Sequence, residues 1–85
     1  MKELPQTYLV GTSRQIHAGF AVHKIIGRMN KPMERVGPIQ ESAEEAVEAA
    51  ERLGDGYAAF RIVRSKSGTT INGRISREDL PVVIK

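Results

Sequence analysis

The residues of this chain with a capacity for chemistry are two histidines, His17 and His23, the adjacent carboxylates Glu78 and Asp79 outside the acidic helix, and a scatter of cations. None falls into a catalytic spacing. With no cysteine in the chain and no carboxylate at ligand spacing beside either histidine, a metal centre would need convergence of distant segments. His23 is therefore expected half-buried in a sheet and His17 in a loop. Gly54-Asp55-Gly56 follows a helical pattern instead of preceding one, the wrong end for cradling phosphate, and reads as a turn. No Gly-x-Ser-x-Gly elbow occurs. Ser76 to Asp79 fits a capped turn better than acid–base work. The expectation is a protein that is not an enzyme, with no cofactor and no metal.

The cations carry more. Arg14, Lys24, Arg28, Lys31 and Arg35 run along the first half, and Arg61, Arg64, Lys66, Arg74 and Arg77 along the second. The net charge of +3 hides a segregation: residues 38–56 hold six acids and one base, while each flanking segment holds six bases and two acids. Such a distribution steers an anionic partner, whether phosphate or a protein's carboxylates. Ten cations can track a nucleic-acid backbone. Sheet-based single-strand readers, however, stack bases on exposed aromatics, and with Phe20 and Phe60 assigned to the core only Tyr57 remains. The acidic helix is no recognition helix. For a protein partner, Arg28, Lys31 and Arg35 stand beside the adaptable apolar side chains Met29 and Met33.

The elements that position these groups follow from pattern. In ESAEEAVEAAERLG, residues 41–54, Ala43, Ala46, Val47, Ala50 and Leu53 form one apolar stripe at the helical period. Ser42 and Glu45 make a capping box, Gly54 closes the helix over about 42–54, and Glu48 and Arg52 form a surface pair. Thr7 to Thr12 and Phe20 to Arg28 read as a first hairpin, with Ser13 to Gly19 as its loop. Asn30 to Gln40, with two prolines and a glycine, reads as an irregular crossover. Tyr57 to Arg64 is a third strand, returning through a turn at Lys66 to Gly68 into Thr69 to Ser76, with Asn72-Gly73 as a bulge or a second turn. Leu80 to Ile84 reads as a short edge strand or a packing arm, and Val82 to Ile84 as an edge to which another sheet could add.

The expected fold is α+β, a four-stranded antiparallel sheet in ββαββ order with the helix on one face. A helix ~10 Å across cannot cover a sheet ~14 to 19 Å wide, so the opposite face is expected to stay open. With Ala58, Phe60 and Ile62 assigned to the helix, the open side receives Tyr57, Ala59, Arg61 and Val63, joined by Ala21, His23 and Ile25. A half-apolar open face predicts a homodimer or a binding surface. At 85 residues one domain is expected, with a thin core drawn from aliphatic residues. The absent cysteines, the acid and proline within Met1 to Gln6, and the lack of a long apolar run predict a cytoplasmic protein without a membrane segment.

SAEEAVEAAERLG followed by GYAAFRIVRS also resembles a layout common in small phage and mobile-element proteins, a group that includes some anti-CRISPR inhibitors. The likeness spans residues 41–65 and carries no motif. It implies a non-catalytic inhibitor or adaptor that occupies a host protein's surface. This chain is basic where phosphate mimics are acidic, which argues against DNA mimicry. The resulting expectation is a protein-binding module that meets an acidic surface through Arg28, Lys31, Arg35, Tyr57, Arg61, Arg64, Lys66 and Arg74. The alternative is a nucleic-acid-binding module that uses Arg61, Arg64, Lys66 and Arg74.

Overall fold

A computed structural model describes residues 1–28 and 31–85. Helix α1 spans Ala43–Leu53, with Ser42 as N-cap and Gly54 as C-cap. The Ser42 hydroxyl accepts from the Glu45 N–H at 3.3 Å and donates to the Glu44 carboxylate at 2.9 Å, so the serine half of the expected capping box forms, while among the described residues no hydrogen bond runs from the Ser42 N–H to the Glu45 carboxylate. Ala43, Ala46, Val47 and Ala50 are buried as the stripe predicts. Leu53, the stripe's last member, remains 48 % exposed.

Around α1 the described residues form seven strands: β1 (Lys2–Leu4), β2 (Thr7–Val10), β3 (Ser13–Ile26), β4 (Lys31–Gln40), β5 (Tyr57–Ser65), β6 (Gly68–Ile75) and β7 (Val82–Ile84). The main sheet is antiparallel and five-stranded, so the expected four-stranded ββαββ layout is too simple. Two segments read as loops are strands. Ser13 to Gly19 is the first half of β3, paired to β2 on one edge, and the hairpin turn is only Gly11-Thr12. Lys31 to Gln40 is β4, which pairs with the second half of β3 along that same edge. Its prolines are tolerated because β4 pairs β3 alone, and its register slips accommodate Gly37 at φ +84°.

One glycine makes the shared edge work. At Gly19, φ is +142°, and a Cβ there would stand 2.5 Å from the Gln40 carbonyl oxygen and 2.6 Å from Ile39 Cγ2. A β-bulge between His17 and Gly19 bends β3 at this point. A second bulge lies across the sheet, where Arg61 pairs with Gly73 and Ile62 with Ile71, leaving Asn72 as the extra residue. Asn72-Gly73 is thus a bulge, and the tight turn is at Lys66-Ser67.

The register reverses the expected facing of β5. Phe20 and Ala59 pack with Ala43, Ala46, Val47 and Ile75, while Ala58, Phe60 and Ile62 lie on the far side with Ala21. YAAFRIVR is apolar in both phases, so alternation alone cannot choose between them. Packing chooses: an alanine-rich helix approaches closely over Ala59, and the larger Phe60 and Ile62 take the far side. What the helix leaves uncovered on its own side is filled by β1 and β7, a parallel pair whose Leu4, Val82 and Ile84 pack on that core together with Leu80. Val82–Ile84 therefore already has β1 as a partner.

The far face is not open. Phe60 is 5 % exposed, Ile62 3 % and Ala21 0 %, because Ala18, Ile25, Ile39 and Ile71 pack against them. Ile39 and Ile71 come from strands on opposite sides of the β3–β5 pair. The bulged, curled sheet thus closes a second small core from its own edges.

Candidate functional site

The histidines part company. His17 lies on the helix side, its Nδ1 accepting from Arg61 Nε–H at 3.2 Å. Burial, and then the Arg61 charge, hold its pKa below 6.5. His23 lies on the far side, 8 % exposed, with Nδ1–H donating to the Met33 carbonyl at 2.8 Å and the ring edge-on to Phe60. Among the described residues no three His, Asp or Glu side chains gather as metal ligands.

Arg61 was expected on an open face, and the structure places it in the interior at 1 % exposure. Its guanidinium donates to the Pro5 carbonyl and to His17, and its Cζ stands 5.6 Å from the Tyr8 ring centroid. Burial holds its pKa below the ordinary arginine value, with the Tyr8 phenol acting in the opposite direction. None of the ion pairs among the described residues includes it. It fastens β5 to the segment entering β2 and is unavailable to a partner. Only the register of β5 reveals this, and the sequence pattern leaves that register open.

Arg77 is likewise committed, donating from Nε to Glu51 at 2.9 Å. That bond holds the Glu51 carboxyl below its usual range. Glu51 takes up this arginine from across the chain, and no Glu48–Arg52 pair forms among the described residues. Asp79 accepts from the Ser76 backbone N–H at 2.9 Å, so residues 76–79 form the capped turn their sequence predicts. Arg74 is exposed on β6, opposite Phe60, at the rim of a cleft of about 570 Å³ between the end of α1 and the starts of β5 and the following turn.

The remaining cations gather at the two ends of the sheet. At one end the β3–β4 arm presents Lys24, Arg28, Lys31 and Arg35, all exposed. Lys24 pairs with Tyr57 across β3 and β5, and Arg35 pairs with His23. Lys24, Glu34, Arg35 and Tyr57 line a shallow recess of about 260 Å³ with Ile26, Met33 and Val36. These three apolar side chains are 48 %, 42 % and 37 % exposed. Met29 lies outside the described residues. Sequence reasoning found the charges and Met33 here but missed Ile26 and Val36, whose exposure depends on β4 being an edge strand. At the other end, the β2–β3 and β5–β6 turns emerge side by side and bring Arg14 and Lys66 together, with Arg64 on the adjoining strand. The eight expected partner residues thus divide into one end group, Arg28, Lys31, Arg35 and Tyr57; a second, Arg64 and Lys66; a lone Arg74; and the buried Arg61.

No family model matches this chain, and neither the curated proteins nor the solved structures contain a match to it. Among the described residues, no helix is long and apolar enough to cross a membrane.

Proposed function

We propose that this is a non-catalytic protein-binding module whose β3–β4 arm seats on an acidic, partly apolar protein surface. The observation that carries the reading is the exposed triad Ile26, Met33 and Val36 set among Lys24, Arg28, Lys31 and Arg35. Isolated exposed apolar residues are ordinary, but three around one recess, rimmed by Lys24, Arg35 and the single acid Glu34 with Arg28 and Lys31 on the same arm, match the apolar centre and charged rim of a transient interface. The cations steer encounter and the apolar side chains slow release. The phage-type layout adds that such a module acts as an inhibitor or adaptor by occupying its target.

The closure of the far face by the chain itself removes the main reason to expect a homodimer there. The nucleic-acid alternative loses Arg61, and Arg74 sits opposite Phe60, four residues along β5 from Arg64, with no cation between them on the same strand except the buried one.

The test compares variants with the parent chain as bait in the cell that makes it, followed by binding kinetics with the captured protein. Changing Arg28, Lys31 and Arg35 to Glu lowers the association rate by about tenfold or more, and Ile26→Ser with Met33→Ser speeds dissociation. A partner that binds both variants as it binds the parent rules out the arm.

A further inference from the structure

The geometry points to a phosphate-binding notch at the end of the sheet opposite the arm, formed where the β2–β3 and β5–β6 turns meet. The two turns, Gly11-Thr12 and Lys66-Ser67, are distant in sequence and are brought together by the β3–β5 ladder, in which Ile16 pairs with Arg64 and His17 with Val63. Between them is a recess of about 480 Å³ lined by Thr12, Ser13, Arg14, Ser65, Lys66 and Ser67. Four of these six residues carry hydroxyls and two carry cations. None carries a carboxylate, and none is a large apolar residue.

That lining selects an anion. A divalent cation seeks carboxylate and carbonyl oxygens and is repelled by Arg14 and Lys66. A protein partner would ordinarily find apolar anchors, as the arm provides. Here every side chain offers hydrogen-bond donors: five N–H from the guanidinium, three from the ammonium, and the hydroxyl protons. The Ser65 and Ser67 hydroxyls are 3.0 Å apart, and the Ser67 N–H reaches Ser65 Oγ at 3.4 Å. This local bonding turns both hydroxyls to the same side of the turn and leaves one hydroxyl proton for a ligand. The donor count exceeds what a lone carboxylate accepts and suits the three oxygens of a phosphate ester, with Arg14 bidentate and Lys66 as a point charge. No ion pair among the described residues neutralises Arg14, Arg64 or Lys66. The recess exceeds a bare phosphate in size, so the ester's substituent fits beside it.

The notch is independent of the arm, and its ligand is a phosphate ester, either a small monoester or the phosphodiester of a nucleic-acid strand. Amide chemical shifts of the full chain are followed during titration with inorganic phosphate, adenosine monophosphate and a short oligothymidylate, against chloride at matched ionic strength. Saturable shifts concentrated at residues 12–14 and 65–67 are the expected result. The double variant Arg14→Gln and Lys66→Gln, on an exposed strand-end residue and an exposed turn residue whose replacement leaves the folded spectrum intact, weakens binding by about tenfold or more. Tighter binding of the monophosphate than of the oligonucleotide identifies a small ester. Tighter binding of the oligonucleotide, with a salt slope of several phosphates, identifies a strand backbone. Shifts centred on the β3–β4 arm, shifts matched by chloride, or binding unchanged in the double variant overturn the proposal.

Discussion

The two faces of the sheet are buried by different means. On one side a separate helix and the β1–β7 pair lie over Phe20, Ala59 and Ile75, as an amphipathic pattern leads one to expect. On the other, Phe60, Ile62 and Ala21 are enclosed by side chains of the sheet's own strands, Ile39 and Ile71 among them. A face without a covering element is therefore not automatically a binding surface, and interaction chemistry in this protein moves to the ends of the sheet. There the same division recurs, with charge beside apolar groups on the arm and charge beside hydroxyls at the turns.

The sharpest way to break this contrast is Phe60→Ala. If the far face is a true interior, the change costs about 3 to 5 kcal/mol, read as a lower urea midpoint at constant slope. An open face would return a change within about 0.5 kcal/mol. Next is Gly19→Ala, which places a Cβ against the Gln40 carbonyl at a positive φ and is expected to cost on the order of 1 to 3 kcal/mol. A neutral result there would mean the bend in β3 does not hold β4 against the far core.

A smaller effect separates the faces by pH. His17 accepts from Arg61 only while Nδ1 is unprotonated, and its pKa is lowered in the fold, so the unfolded chain binds that proton first. Its contribution to stability is complete above the ordinary value of 6.5 and is lost as pH falls below it. Thermal melts across that range should show the decline, and His17→Gln should flatten it. A decline of the same size in the variant would assign the effect to another group. Smallest of all, Leu53→Ser on the helix stripe should change stability by no more than about 0.5 kcal/mol, since Leu53 is half-exposed. A loss several times larger would show that the helix covers more of the sheet than the structure indicates.

The helix, its cap at Ser42, the strand from Tyr57 and the turn at Lys66 were legible because each depends on neighbours in sequence. Ser13 to His17 was not, because SRQIH lacks a strand's composition and is held extended by pairing with β2 and β5. Nor was β4, whose two prolines and glycine are turn signals anywhere except on a bulged edge. The facing of β5 was illegible for a third reason: both of its phases are apolar, and the choice is made by how closely alanine lets α1 approach. That choice decided the candidate site, since it took Arg61 inward. The grouping of Arg14 with Lys66 is a property of strand order, and no local pattern encodes it.

The two bulges have a consequence in chain length. Ala18 in β3 and Asn72 in β6 are supernumerary on either flank of β5, both at the level of Ile62. Deleting either one would leave every cross-strand partner of β5 in place, because the pairings on both sides of the extra residue already follow one another along β5. The sheet's crease is thus written in the number of residues as well as in the glycine at position 19. Shortening the chain at either position would flatten the crease, and at position 18 it would also take one methyl group out of the far core.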